Sequence, residues 1–544
     1  MRSSCRPGAR RMFSFEQNRR SSGFSLSAAG IAAALVLAVC LVRFCLMIRS
    51  GLSGMTFADE ADHILGSQIL GRGGTLYGSY VDQHGPLIFM IGRLYGAVAG
   101  WMHPIGVRLV MAGLAMLCAA LIALELRPRL LAVLSGLSLF FGLLASFWLM
   151  QGLYLFSYYP VAGFLAVLMM AAGMPVFRDG GYGRREAPSR AEAFSAGLCA
   201  AGLGLASFSY GPSAVLFAAA IVAGTPSGSR GRVLLCGLAG GVACLGAGLL
   251  WMLEYGSLRG WHAFHIYYNR TVYAPFIHFG PMSFLGGLWP SVLPERRIGT
   301  FVQLALVLCC GLLMRRSGWR GSRILAVLCL FTAVELLNAR GDAGFKAGAQ
   351  LVAVIGLVSL VLPDGAIRLI TRYRLPFLLA APGLVLMLAG ADVLVRHTPS
   401  SPFRWSWKQM MSLPPISPYR RAEWPEFVRI RELAGADGRI LALPFRPEVY
   451  LAADRLPPDR YYEYLPWDAI YARRPYPGEE RDICRDLQRL KPAVIIYRPW
   501  KTDMYPPGSY LGCVLSLLRA DYREDPDFSG IYGLVRKQGG IEPE

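Results

Sequence analysis

Lysine is almost missing from this chain. It occurs at five of 544 positions, and nearly all of the 55 basic residues are arginine. Charge of either sign is sparse at 17% of residues, and acids number only 35. No pair of cysteines has the short spacing of a zinc or redox motif, which argues against a thiolate metal centre. No glycine-rich loop opens a helix in the polar part of the chain, so a phosphate-cradling nucleotide site is not expected. No internal repeat is visible. The net charge of +20 does not signal nucleic acid, because of where it lies. Arginines gather in Arg2–Arg20, Arg178–Arg190, Arg230–Arg232, Arg315–Arg323 and Arg368–Arg374, each a short segment beside an apolar run. That placement is the positive-inside pattern of membrane proteins.

What the chain has in quantity is hydrophobic length. Hydrophobic residues make up 54% of it, with a mean hydropathy of +0.40. Runs of about 15 to 25 apolar residues recur, near the roughly 20 that a membrane helix needs. Helices are the expected spanning element because each satisfies its own backbone hydrogen bonds. The chain therefore reads as a polytopic α-helical membrane protein of about 11 to 13 transmembrane helices. Residues 1–23 form a basic cytoplasmic N-terminus, and 24–396 form the transmembrane domain. Apolar segments fall near 24–48, 86–100, 106–125, 130–149, 158–177, 191–209, 211–224, 232–253, 300–314, 322–338, 346–362 and 376–395. The charge pattern places loops 49–86 and 254–298 on the outer side. Between 86 and 177 the crossings come out right only if one segment falls short of a full span or two form one bent helix. After about 397 the hydrophobic runs stop, and residues 397–544 read as an extracytoplasmic α/β domain. Strand-like runs at Arg439–Pro444, Ala493–Tyr497 and Gly530–Val535 alternate there with helical patterns at Asp482–Leu490 and Leu511–Arg519. Cys484 and Cys513 lie in this tail and are the pair that an oxidising compartment would allow to bond.

The first outer loop carries the chemistry. It holds Phe57-Ala-Asp-Glu-Ala-Asp-His63 and Tyr80-Val-Asp-Gln-His-Gly-Pro86. Carboxylates beside lipid are costly unless they pair, meet water or react. On a helix, Asp59, Asp62 and His63 share a face through i, i+3 and i+4 spacing, while Glu60 points elsewhere. Three readings stay open: acids serving a helix N-terminus, a divalent metal on Asp59, Asp62 and His63, and a catalytic carboxylate.

Asp59-Glu60 followed by Tyr80-Val-Asp-Gln-His-Gly-Pro-Leu87 resembles the first extracytoplasmic loop of the protein O-mannosyltransferases and of the lipid A aminoarabinose transferases. Both are GT-C glycosyltransferases. The mannosyltransferases carry Asp-x-His-Pro-Pro-Leu, whereas here Gly85 replaces the first proline. The resemblance covers about residues 55–110 and includes Arg108. It implies a sugar donor on a polyprenyl phosphate and an acceptor hydroxyl at the outer membrane face, with transfer by inversion. A hydroxyl attacks poorly until a carboxylate takes its proton. The resemblance assigns that role to Asp59, with Glu60 positioning the acceptor or orienting Asp59. Asp62, His63, Asp82 and His84 are the positioning candidates. Arg108, Arg270, Arg340 and Lys346 are the cations that would meet the leaving phosphate.

No cofactor is firmly implied, although a divalent cation stays open. The implied partners are the polyprenyl-phosphate sugar, a lipid, glycan or protein acceptor, and the membrane, with no nucleic acid. The implied location is the inner, or plasma, membrane, with the site facing the periplasm or cell exterior. His262 and His265 in the second loop form a weaker metal pair within an aromatic belt, and Glu335 near a helix end is a further polar candidate. A transporter or lipid flippase, and a non-catalytic scaffold subunit, are the competing readings.

Overall fold

The computed structural model describes residues 28–53, 58–99, 104–127, 130–148, 152–177, 187–273, 276, 349, 351–361, 363, 424–436, 438–498 and 505–534. The described part of the membrane region holds nine helices before residue 256 and a further buried apolar helix at Leu351–Val361. The nine are α1 (Ala28–Ser53), α2 (Ala58–Gly71), α3 (Pro86–Ala99), α4 (Pro104–Leu126), α5 (Leu130–Trp148), α6 (Tyr158–Phe177), α7 (Arg190–Ala206), α8 (Gly211–Gly224) and α9 (Ser227–Tyr255). A π-helix, Trp261–Tyr273, follows α9.

Five helices among the described residues are long and apolar enough to cross a membrane: α1, α4, α5, α6 and α9. At 1.5 Å per residue, the 14-residue α3 spans only about 21 Å. Apolar stretches 300–314, 322–338 and 376–395 lie outside the described residues, as do Glu335, Arg340 and Lys346.

Local sequence explains how the bundle is assembled. Pro86 opens α3 and Pro104 opens α4, first-turn positions where proline's missing N–H costs nothing. Helix α7 starts on a capping box: Glu192 N–H donates to Ser189 Oγ at 3.2 Å, and Ser189 N–H donates to Glu192 Oε2 at 2.6 Å. Helices α7 and α9 then pack backbone against backbone. A Cβ on Gly240 would stand 2.0 Å from the Phe194 carbonyl oxygen, so only glycine permits this approach. The outer face of α9, with Leu235, Val242 and Leu250 exposed, is a surface for lipid.

The C-terminal region is a small α/β unit. Its four strands are β1 (Ile440–Leu443), β2 (Val494–Tyr497), β3 (Tyr522–Glu524) and β4 (Ile531–Leu534), in the order β1-β2-β4-β3. β1 runs parallel to β2, pairing Ile440 with Val494, while β4 is antiparallel to both β2 and β3. Every residue of β1 is buried, as expected of a strand covered on both faces. Helices Ile483–Leu490 and Leu511–Asp521 flank the sheet, joined by a Cys484–Cys513 disulfide. The unit docks on the membrane region through a set of contacts that includes the following two. Tyr462 stacks on Tyr80 with ring centroids 5.7 Å apart, and Arg259 donates to the Pro477 carbonyl at 2.6 Å.

Candidate active site

Helix α2 is the centre of the site. It is too short and too polar to be a span, and residues 60–67 are buried continuously, Glu60, Asp62 and His63 among them. Adjacent acids in its first turn have different fates. Asp59 stays half-buried, with its charge within electrostatic reach of Tyr158, Tyr159 and Glu463. Glu60 is fully buried and gripped by Arg108, which opens α4. Arg108 Nε donates to Glu60 Oε1 at 2.9 Å and a terminal nitrogen donates to Oε2 at 2.5 Å. The other terminal nitrogen donates to the Gly51 and Leu52 carbonyls at 2.7 and 3.3 Å. Phe156 N–H also donates to Glu60 Oε1, at 3.0 Å. This fork-to-fork pair therefore fastens the end of α1, α2, α4 and the lead into α6 at one point.

Asp62, His63, Asp82 and His84 converge from the two halves of the loop, with their metal-competent atoms within 4.8 Å of one another. Asp82 Oδ1 accepts from the His84 backbone N–H and lies 2.7 Å from His84 Nδ1. Tyr80 donates its hydroxyl to Asp62 Oδ1 at 2.5 Å. Burial and the neighbouring Asp82 and Glu463 charges raise Asp62 well above the usual carboxylate range. Burial would raise Asp82 too, but the His84 charge and hydrogen bonds outweigh it and hold Asp82 below that range. The two acids are thus pushed in opposite directions.

Burial and the His84 charge push His63 down to about 3, so its ring is neutral. Its Nδ1 donates to the Phe156 carbonyl at 3.3 Å, which leaves a lone pair on a buried and unpartnered Nε2. Asp62 Oδ2 and Asp82 Oδ2 are likewise buried, with no separate donor reaching either among the described residues. Around an ion at about 2.1 Å, ligand atoms stand at most about 4.2 Å apart. With atoms up to 4.8 Å apart, the four side chains would close by up to about 0.6 Å to bind as opposite ligands, and further as adjacent ones. They are a fit donor set for a divalent cation, and it differs from the Asp59, Asp62 and His63 set that helix spacing suggests.

The departure at Gly85 has a steric cause. A Cβ there would lie 2.2 Å from the Leu205 carbonyl oxygen and 2.5 Å from that of Ala206, at the end of α7. Loss of the side chain lets the His84–Pro86 turn lie against that helix end. The second outer loop holds the turn from the other side: His265 Nδ1 donates to the Gln83 carbonyl at 2.9 Å, and Asn269 Nδ2 donates to the same oxygen at 2.8 Å. His262 is exposed beside Tyr476 and does not join His265. Arg270 is exposed on the same π-helix.

Local patterns did not mark the far wall of the site, which comes from the C-terminal unit. Tyr462 and Tyr80 hydroxyls lie 3.0 Å apart, and Glu463 lines a cavity beside Asp82. Arg481 reaches Asp468 at 3.0 Å, and Asp468 accepts the Tyr268 hydroxyl at 2.8 Å. The available signal was the run Tyr461-Tyr-Glu-Tyr464, three tyrosines around an acid with no strand or helix period.

Neither a protein-family model nor a curated protein matches the chain. Among solved structures, ArnT from Cupriavidus metallidurans bound to undecaprenyl phosphate matches at a TM-score of 0.55 and 11% identity, covering 94% of this chain and 99% of that one. The apo state of that protein matches at 0.52 and 13% identity, covering 90% and 95%. Archaeal oligosaccharyltransferase AglB from Archaeoglobus fulgidus matches at 0.42 and 11% identity, covering 94% and 75%. The matches to ArnT cover nearly the whole of both chains, and this is a polytopic membrane protein with a GT-C-like fold.

Proposed function

We propose that the protein is a membrane glycosyltransferase that moves a sugar from a polyprenyl-phosphate donor to an acceptor hydroxyl at the outer face of the membrane, with inversion. The observation that carries this reading is the division of labour between Asp59 and Glu60. Glu60 is locked to Arg108 in the protein interior, whereas Asp59 stays half-buried among tyrosines at the edge of the buried acid–histidine cluster. Asp59 is the general base: it takes the acceptor proton as the hydroxyl attacks the anomeric carbon, a contribution of roughly 10²- to 10⁴-fold. Glu60 and Arg108 are positioning residues that set the first turn of α2.

Phosphate leaving with added charge needs cations where water is scarce. Arg108 has its fork filled by Glu60, so Arg270, Arg340 and Lys346 are assigned to that role. Asp62, His63, Asp82 and His84 would hold a divalent cation, whose charge would offset that of the phosphate. Tyr80 and His265 keep these side chains oriented through Asp62 and the Gln83 carbonyl.

The Cys484–Cys513 disulfide supports an oxidising compartment for the C-terminal unit, and hence an inner-membrane protein whose site faces the periplasm or cell exterior. The undecaprenyl phosphate bound to ArnT supports a polyprenyl carrier here. The test is release of polyprenyl phosphate from a panel of polyprenyl-phosphate sugars, with wild type beside Asp59→Asn. Turnover by wild type and none by the variant, both folded, is the expected result. Equal turnover by the two removes Asp59 as the base, and no turnover by wild type with any donor removes the enzyme reading.

A further inference from the structure

A cavity of about 30 Å³ lies where the C-terminal unit meets the outer loops, bounded by Gln83, Tyr268, Tyr461, Glu463 and Arg481, with Asp82 on the side of the acid–histidine cluster. Its walls carry more polar capacity than the described residues satisfy. The Tyr461 hydroxyl, Arg481 Nε and the Gln83 amide oxygen are all buried with no hydrogen-bond partner among the described residues. Tyr461 and Arg481 are themselves 8% and 7% exposed. Buried polar atoms are normally satisfied, and each orphan costs about 1–3 kcal/mol. Several orphans around one cavity therefore mark a place where something else supplies the partners.

The wall is also held rigidly. Arg481 is fixed by Asp468 at 3.0 Å and by the Glu463 carbonyl, and its guanidinium lies over the Tyr461 and Tyr464 rings at 4.9 and 5.1 Å. Tyr462 stacks on Tyr80, and Tyr464 N–H donates to the Pro444 carbonyl at 2.8 Å. Glu463 is thus pinned on both sides in sequence while its carboxyl lines the cavity.

Resting on the glycosyltransferase reading, we propose that this cavity is a subsite for one hydroxyl or hydroxymethyl arm of the carbohydrate. Arg481 Nε–H and the Tyr461 hydroxyl donate to the arm's oxygen, and its O–H donates to Glu463 or to the Gln83 amide oxygen. A volume of about 30 Å³ admits one or two waters, or one such arm in their place. Donors and acceptors together match a hydroxyl, which both gives and takes a hydrogen bond. The C-terminal unit then supplies sugar specificity directly, and the arm belongs either to the transferred glycosyl group or to a glycan acceptor.

The experiment uses the full chain with the polyprenyl-phosphate sugar it turns over, a matched series of deoxy analogues of donor and acceptor, and the variants Tyr461→Phe and Glu463→Gln. Tyr461→Phe deletes an unpartnered hydroxyl, so its melting temperature stays at or above wild type. Wild type discriminates about three- to tenfold in kcat/KM against the one deoxy analogue that lacks the arm. In Tyr461→Phe that discrimination shrinks, with KM for the parent substrate raised by a similar factor and kcat nearly unchanged. The substrate whose analogue shows the effect, donor or acceptor, identifies the source of the arm. Unchanged discrimination in both variants against every analogue overturns the subsite and leaves a cavity of ordered water. If wild type turns over no donor, the enzyme reading fails separately. The subsite is then judged by equilibrium binding of polyprenyl-phosphate glycosides, where equal parent-to-deoxy affinity ratios in wild type and Tyr461→Phe, or no binding by wild type, overturn it.

Discussion

Glu60→Gln separates a structural acid from a chemical one. The substitution keeps an oxygen for Phe156 N–H and for Arg108 Nε but removes the charge and the second carboxylate oxygen, so the buried guanidinium loses its counter-ion. Removing one partner of a buried, hydrogen-bonded ion pair costs about 3–5 kcal/mol, mostly because the remaining charge has nowhere to go. That is a factor of roughly 10² to 10³ or more in the folding equilibrium. Four chain segments meet at this pair, so the loss falls on the bundle rather than on one loop. Asp59→Asn, one residue away, loses only a half-buried charge in a first helical turn, worth about 1 kcal/mol or less. Equilibrium denaturation in detergent, run beside release of polyprenyl phosphate, compares the two. Glu60→Gln is expected to shift the midpoint strongly, whereas Asp59→Asn abolishes transfer from a protein of near-wild-type stability. Glu60→Leu with Arg108→Leu together should recover part of the loss, because the uncompensated charge is gone, although the two carbonyls at the end of α1 then lack a donor. A Glu60→Gln protein as stable as wild type but unable to transfer would refute this division and make Glu60 a reacting group.

Three further outcomes follow from the site. Chelation of divalent ions from purified protein is expected to lower its melting temperature, and re-addition to restore it, with His63→Ala abolishing the response; identical melting with and without chelator would remove Asp62, His63, Asp82 and His84 as a cation site. Gly85→Ala places a methyl 2.2 Å from the Leu205 carbonyl oxygen and is expected to cost about 1–3 kcal/mol as the His84 turn is forced off α7; a neutral substitution would mean that the turn moves freely. His265 is held down to about 4 by burial, so between its unfolded value near 6.5 and about 4 the unfolded chain binds the proton that the folded one refuses. Stability attributable to this group is present above about 6.5 and falls by up to about 1.4 kcal/mol per pH unit as pH drops through that window. His265→Gln should flatten that part of the acid limb, and an unaltered limb would place the titration elsewhere.

How much of this was legible in the chain depends on how far apart the contacting residues lie. Asp59, Asp62 and His63 sit within one turn, and Asp82 and His84 two residues apart, so helix geometry and a single loop bring them to notice. The same spacing argument puts Asp59 in a metal set with Asp62 and His63, and it goes no further because it cannot see that Asp82 and His84 fold back onto α2. Their approach depends on Gly85 meeting the end of α7 and on the π-helix gripping the Gln83 carbonyl, both contacts across more than 100 residues of sequence. Arg108 was visible as a cation at the start of a span, but nothing local says that its fork is filled by Glu60. β3, Tyr522–Glu524, carries no alternation over its three residues, and it is defined by its pairing with β4 rather than by its own pattern.

The far wall shows where this kind of reading stops. Tyr80 and Tyr462 are 382 residues apart and share a hydroxyl contact of 3.0 Å. Side chains that close the site from a second folding unit need no period, because the unit's own core positions them. Glu463 is therefore placed by β1, by Arg481 and by the Tyr464–Pro444 backbone bond, and not by the residues beside it in sequence. A C-terminal unit built only to solubilise or anchor the protein would gain nothing from burying an arginine, a tyrosine hydroxyl and a carboxyl against the mouth of a membrane bundle, since each costs desolvation. Such groups persist where they meet a polar ligand, and under the proposed glycosyltransferase reading a hydroxyl of the carbohydrate is the partner that recovers that cost.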